Sequence, residues 1–364
     1  MPFKLISQSK ISKARLGELK TKHGVIKTPF FMPIATRGVV KGITSTEIEK
    51  IKAQIILANT YHLMVKPGKG FLKKIGGLHK FMNWDKPILT DSGGYQVFSL
   101  AKHCKVSDEG TEFRDPKSGT KYALSPEESI QVQQAVGSDI MIALDECTPK
   151  TVSREMAKTA VNRTVKWAER CFKEHQKNKQ GQLLFAVGQG DKFLDLRREC
   201  IRKLKKIDFD GYCYGGMAPL KTVYKMLEKI MPEYPEDKPR YLMGVGYPND
   251  IVESVKRGVD MFDCVIPTRE GRHGRAFIRK KGVKLTDSKF YETVNFPQVK
   301  LKFDKEPLST GCNCLTCKKY TRAYINYLFK IGDYLGPRLV SLHNLAFYLD
   351  LMKEIREEIK KGKL

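Results

Sequence analysis

The chain has 364 residues, enough for one large domain or two ordinary ones. Hydrophobic residues make up 41% and charged residues 29%, and no apolar run nears the roughly 20 residues of a membrane-spanning helix, so a membrane protein is excluded. A formal net charge of +26 points to polyanionic partners, nucleic acid first, against the plainer reading of a solvated lysine-rich surface.

In chain order, short apolar segments rich in β-branched or aromatic residues alternate with segments of helical spacing. The apolar segments are PFFMPIAT (29–36), AQIILANT (53–60), KPILTDSGG (86–94), DIMIALDECT (139–148), LLFAVGQG (183–190), GYCYGGM (211–217), RYLMGVG (240–246) and MFDCVIPT (261–268). Helical spacing recurs at 44–53, 125–137, 153–175, 195–207 and 249–259. Strand and helix in alternation pair in parallel through right-handed crossovers, and eight units close an α/β (β/α)8 TIM barrel. An open doubly wound sheet would carry GxGxxG after an early strand, and no such motif follows one here. Residues 1–28 read as an N-terminal β extension, 29–269 as the barrel with a hairpin inserted near 99–123, and 270–345, where three clustered cysteines offer thiolate ligands, as a zinc-binding subdomain. A C-terminal helix, 346–364, completes a single catalytic domain.

Reactive groups of such barrels sit at the C-terminal ends of strands. Asp91 follows PILT, Asp145-Glu146-Cys147 ends the fourth segment, and Gln189-Gly190 the fifth. Gly215-Gly216-Met217 ends the sixth, Met243-Gly244 the seventh, and Asp263 lies in the otherwise apolar eighth. Each has a plainer reading, as a turn cap, a solvated carboxylate or a core filler. Asp263 resists that reading, because a buried carboxylate without partners is costly. Carboxylates gathered at one mouth can divide the work between nucleophile, proton carrier and recognition of a polar ring.

Near the C-terminus GCNCLTC places Cys312, Cys314 and Cys317 together, with His343 following in SLHNL. Three thiols need one more ligand for tetrahedral zinc; a fourth protein ligand makes the site structural, whereas water in that position makes it catalytic. Nine cysteines, an odd number, suit a reducing compartment better than a disulfide framework. The first residues, MPFKLISQSK, lack a signal-peptide core, so the expected location is cytoplasmic.

DSGGYQVFSL, DECTP, GGMA, RYLMGVG, RGVDMFDCVIPTREGRHGRAF and CNCLTCKKYTRAYI followed by LHN closely resemble the tRNA-guanine transglycosylases, from about residue 30 to the end and in the family's order. Tyr95 and Gln96 after DSGG look like the bacterial type. The resemblance implies a pentosyltransferase that exchanges guanine at the wobble position of GUN-anticodon tRNAs (Asp, Asn, His and Tyr isoacceptors) for a 7-deazaguanine. The incoming base would be 7-aminomethyl-7-deazaguanine or queuine, in queuosine modification. It implies Asp263 as nucleophile, forming a covalent aspartyl-RNA intermediate, and Asp91 as general acid/base. Asp145, Gln189 and the Gly216 backbone would hydrogen-bond the base, Tyr95 and Met243 would sandwich it, and Cys147 would sit in its pocket. Arg269, Arg272 and Arg275, in a basic run that also holds Arg279, would contact the anticodon loop. Cys312, Cys314, Cys317 and His343 would hold one structural zinc ion per subunit of a homodimer. Two departures stand out: Gly188-Gln189-Gly190-Asp191 where the family commonly reads VQGG, and Lys221 near a position that commonly holds glutamate. Rival readings are a noncatalytic tRNA-binding zinc subunit and a zinc-dependent hydrolase. An iron–sulfur centre is a lesser alternative for the thiols.

Overall fold

The computed structural model describes residues 1–100, 104–115, 118–149, 151–216 and 218–364. Its strands are β1 (Phe3–Gln8), β2 (Arg15–Thr21), β3 (Gly24–Thr28), β4 (Phe30–Met32), β5 (Ile56–Ala58), β6 (Ile88–Thr90), β7 (Lys105–Val106), β8 (Thr111–Arg114), β9 (Lys121–Leu124), β10 (Ile140–Ile142), β11 (Leu183–Gly188), β12 (Gly211–Tyr214), β13 (Arg240–Leu242), β14 (Met261–Asp263), β15 (Arg275–Arg279) and β16 (Tyr291–Asn295). Eight of them form one parallel sheet in the order β4-β14-β13-β12-β11-β10-β6-β5. A parallel bridge between Ile34 and Leu57 joins the two ends and closes the barrel expected from the alternation. Helices 126–136, 154–177, 194–204, 220–230 and 248–255 return the chain between strands. Ser125 and Ser153 cap the first two by accepting from the backbone N–H three residues on.

Side chains alternate across each strand, so residue parity decides what faces the barrel axis. Phe30, Met32, Leu89, Ile140, Ile142, Phe185, Val187, Cys213, Tyr241 and Met261 pack into one interior cluster. Their neighbours Phe31, Ile88, Met141, Leu184, Ala186, Tyr212, Leu242 and Phe262 pack outward under the helices. Continuing the inward series two residues at a time brings Asp91, Gln189, Gly215, Met243 and Asp263 above that interior at the C-terminal mouth.

The opposite mouth is covered by the antiparallel sheet β1-β2-β3, whose Phe3, Leu19 and Ile26 join the interior cluster. Arg15 clamps Asp260, just before β14, at 2.9 and 2.6 Å. Asp139, just before β10, accepts from the backbone and ring nitrogens of His23, both at 2.9 Å. The insertion after β6 is the antiparallel sheet β7-β8-β9; the parts of the expected hairpin at 101–103 and 116–117 lie outside the described residues.

Beyond the barrel, β15 and β16 pair antiparallel beside a third core containing Ala276, Phe296, Leu308, Ile325, Leu328 and Leu339. The last helix begins at Leu335, ahead of the expected span 346–364, and runs to Lys360. Its glycine and proline, Gly336 and Pro337, occupy the first turn, where proline lacks no needed N–H. The Asn344 side chain on this helix accepts from Phe277 N at 3.0 Å and donates to the carbonyls of Pro267 (3.0 Å) and Arg275 (2.8 Å). That one amide fixes the helix against the segment leaving β14.

Candidate active site and metal centre

A cavity of about 540 Å3 opens at the C-terminal mouth, and Asp91, Tyr95, Asp145, Cys147, Gln189, Gly216, Met243, Asp263 and Arg269 all line it. In the Asp263 carboxylate, Oδ1 accepts from Tyr241 Oη at 2.6 Å and from Gly244 N at 2.8 Å. No hydrogen bond among the described residues falls on Oδ2, which leaves that oxygen with a free lone pair. Burial raises the pKa of Asp263, against the lowering effect of those two bonds.

Asp91 is held by the neighbouring β5 end. Its Oδ1 accepts from Thr60 N at 3.1 Å and Gly93 N at 3.2 Å, its Oδ2 from the Asn59 side chain. Burial, with help from the charge of Asp263, overcomes these bonds and pushes Asp91 up to about 7. Neither carboxylate pairs with a cation among the described residues, and burial favours the protonated form of both.

Asp145 takes the Gln189 amide on Oδ2 at 2.7 Å and the Ser92 hydroxyl on Oδ1 at 3.1 Å, and burial raises its pKa. Gln189 Oε1 is buried with no partner among the described residues, an acceptor that a ligand could use. Gly94 lets the chain approach this wall, since a Cβ there would lie 2.8 Å from Asp145 O. Burial pushes the Cys147 thiol up to about 12, so it stays protonated and unreactive. Glu146 turns away to Arg163 at 2.5 Å. Met243 packs on the barrel interior, while Tyr95 is 45% exposed at the rim. Met217 lies outside the described residues.

Among the arginines, only Arg269 lines the cavity. Arg269 and Arg275 approach Glu270 at 3.5 and 3.7 Å, distances that hold neither firmly. Arg272 is half-buried on the same helix, 266–272, and burial lowers its pKa. Arg279 is committed to the fold, donating to Glu354 at 2.9 and 2.6 Å and to three backbone carbonyls. Asn59, Thr60 and Tyr241 went unnoticed in the sequence. Asn59 and Thr60 end AQIILANT, the same strand-end signal that marked Asp91.

The four residues Cys312, Cys314, Cys317 and His343 converge, with the thiols 3.7, 3.8 and 3.3 Å from His343 Nδ1. Tetrahedral zinc with its usual bond lengths separates sulfur and nitrogen by about 3.5 Å. His343 Nε2 lies 2.8 Å from Phe277 O and donates to it, which leaves Nδ1 unprotonated toward the thiols. The donor set and tautomer fit a metal ion such as zinc. The cluster lines no part of the cavity at the barrel mouth.

A second gathering of possible ligands, His23, His79 and Asp139, behaves differently. Its imidazoles stack 3.9 Å apart at 24°, and His23 Nδ1 and His79 Nε2 both turn to the Asp139 carboxylate, at 2.9 and 3.4 Å. Asp139 is already filled by backbone donors, including Ile88 N at 2.9 Å. The trio is a clasp between the covering sheet and the barrel floor.

A closed parallel barrel with its polar site at the strands' C-terminal ends, a Cys3His metal cluster standing apart, is the architecture of a (β/α)8-barrel enzyme. The family model described as "TGT: Queuine tRNA-ribosyltransferase" matches residues 9–364. A queuine tRNA-ribosyltransferase of Thermoanaerobacter sp. (strain X514) is 47% identical over 100% of this chain and 94% of its own length. Those of Rickettsia prowazekii (strain Madrid E) and Acinetobacter baylyi are each 46% identical, over 99% and 100% of this chain and 98% and 92% of theirs. The chain belongs to the queuine tRNA-ribosyltransferase family.

Proposed function

We propose that the protein exchanges guanine at the wobble position of GUN-anticodon tRNAs for 7-aminomethyl-7-deazaguanine or queuine, by two displacements through an aspartyl-RNA intermediate. Asp263 Oδ2 attacks C1′ of the ribose as the C1′–N9 bond breaks, and Asp91 gives its proton to the departing guanine. Asp91 then accepts the N9 proton of the incoming base, whose nitrogen attacks C1′ and frees Asp263. Two inversions at C1′ keep the glycosidic linkage, as transfer with retention requires. The observation that carries this reading is the pair of carboxylates in one cavity, Asp263 with a free Oδ2 and Asp91 near 7.

Asp145, Gln189 and the Gly216 amide would bind the polar edge of the base, Tyr95 and Met243 its faces, with Cys147 beside it. Arg269, Arg272 and Arg275 would meet the anticodon loop, consistent with the basic composition. The Cys3His cluster would hold one zinc ion per subunit, closed by four protein ligands and therefore structural. We divide the chain as 1–28, 29–269, 270–345 and 346–364, all one catalytic unit. Homodimerisation is supported by exposed apolar residues on the zinc region, with Phe303 80% and Tyr334 91% accessible. A cytoplasmic location fits the reduced thiols; among the described residues no helix is long and apolar enough to cross a membrane.

The test loads a GUN-anticodon tRNA with labelled guanine and follows its release on adding either base, then traps the adduct in denaturing gels. Release with an adduct that disappears in Asp263→Ala supports the mechanism. Binding of tRNA with no release and no adduct would instead indicate a noncatalytic tRNA-binding subunit.

A further inference from the structure

Arg197 lies on the helix 194–204, is 1% exposed, and makes no ion pair among the described residues. A buried cation without a carboxylate is costly unless its donors are satisfied. Three main-chain carbonyls do this. Arg197 Nε donates to Asp191 O at 2.6 Å, Nη1 to Gly188 O at 3.2 Å and Nη2 to Gly215 O at 2.9 Å. The guanidinium also stacks 3.8 Å from the Tyr214 ring centroid.

These acceptors are not scattered. Gly188 and Asp191 bracket Gln189, and Gly215 immediately precedes Gly216. The backbone is shaped to the arginine on both sides. Gly190 has φ +132° and a Cβ there would stand 2.6 Å from Arg197 N; Gly216 has φ +121° and a Cβ there would stand 2.8 Å from Arg197 Nη2. One planar fork therefore ties the end of β11 to the end of β12, and through them orients the Gln189 amide and the Gly216 peptide. A lysine could not reproduce three coplanar donors and the stacking together.

We propose that Arg197 is a positioning residue for the base site, acting through Gln189 and Gly216 to set the affinity for the exchanged base. The proposal rests on the transglycosylase reading. Asp91 and Asp263 are held by other groups, Asn59, Thr60 and Gly93 for one and Tyr241 and Gly244 for the other. Loss of the fork should thus weaken base binding and leave the covalent step largely intact.

The experiment measures exchange by wild type, Arg197→Met and Arg197→Lys, varying base and tRNA concentrations separately. Expected is a rise of about tenfold or more in KM for the base in both variants, with KM for tRNA and kcat at saturating base held within about threefold. A general folding role would lower kcat through the active fraction and leave KM for the base where it was, and that result overturns the proposal. Arg197→Lys retains the charge, so it serves where the methionine variant fails to fold, and an unchanged base KM in it is equally fatal. Inactivity of the wild type would count against the transglycosylase reading itself, an outcome distinct from any change in the ratio between variant and wild type.

Discussion

Replacing Tyr241 by phenylalanine removes one oxygen and little else. The phenol is fully buried in the barrel interior, donates to Asp263 Oδ1 at 2.6 Å, and is itself pushed well above its ordinary pKa by burial and by Asp263, so it remains a donor at any working pH. A hydrogen bond to a charged acceptor contributes about 1.5–3 kcal/mol. At 1.36 kcal/mol per pKa unit, its loss should raise the Asp263 pKa by roughly one to two units, with the Gly244 N–H bond remaining. On the proposed mechanism Asp263 must be ionised to attack, and burial already raises its pKa. A further rise means that activity disappears at a higher pH as the solution is acidified. Initial rates of labelled-guanine exchange from about pH 5 to pH 9 should show the acid limb of the variant displaced upward by that amount, with the alkaline limb unmoved. An acid limb coincident with wild type, in a variant of unchanged melting temperature, would refute the assignment of Asp263 as the group that must lose its proton.

Asp91→Asn should lower exchange by about two orders of magnitude or more while tRNA still binds in filter assays, and the wild-type alkaline limb should fall near the pKa of about 7. Cys314→Ser should lower the melting temperature and the metal content measured by mass spectrometry; replacement of zinc by cobalt should leave the exchange rate nearly unchanged, because the cluster lines no part of the cavity at the barrel mouth. For Asp139, burial alone would raise the pKa, but bonds from His79, Ile88 N and His23 outweigh it and hold the carboxyl below its ordinary value. Its stabilising contribution is therefore present above the ordinary carboxylate pKa and lost as pH falls through the depressed folded one. Asp139→Asn should cost about 1–3 kcal/mol in urea melts at neutral pH, and the gap from wild type should close in acid.

Much of the barrel was legible because its signal is periodic. Eight apolar segments, each ending in polar or glycine residues, describe the strands and mark the end that carries the candidate site. Strand parity then predicts that Asp91, Gln189, Met243 and Asp263 share a side, something visible in the spacing once strand positions are known. The start of the last helix was less legible. Gly336 and Pro337 lie ahead of the expected span, yet they occupy a first turn where neither interrupts a helical hydrogen bond. Arg197 was hidden for a related reason: in DLRRECIRKLKKI it resembles any exposed helical cation, and only tertiary packing turns it onto three carbonyls.

Both ends of the barrel carry aspartates beside strands, and the sequence alone does not show which partners each one receives. Asp260 and Asp139 precede their strands; the first receives the two-pronged Arg15 clamp, the second two histidines and two backbone amides. Asp91, Asp145 and Asp263 follow or end theirs and receive only neutral donors. The same residue type thus falls under opposite electrostatics: Asp139 is held ionised, whereas Asp91 is pushed to about 7. A carboxylate held below its ordinary value by its donors, as Asp139 is at the floor, has little tendency to take a proton near neutrality. One buried at the mouth among neutral donors can take and give one, so the pairing of each aspartate, more than its presence, separates the stabilising end of this barrel from the reactive one.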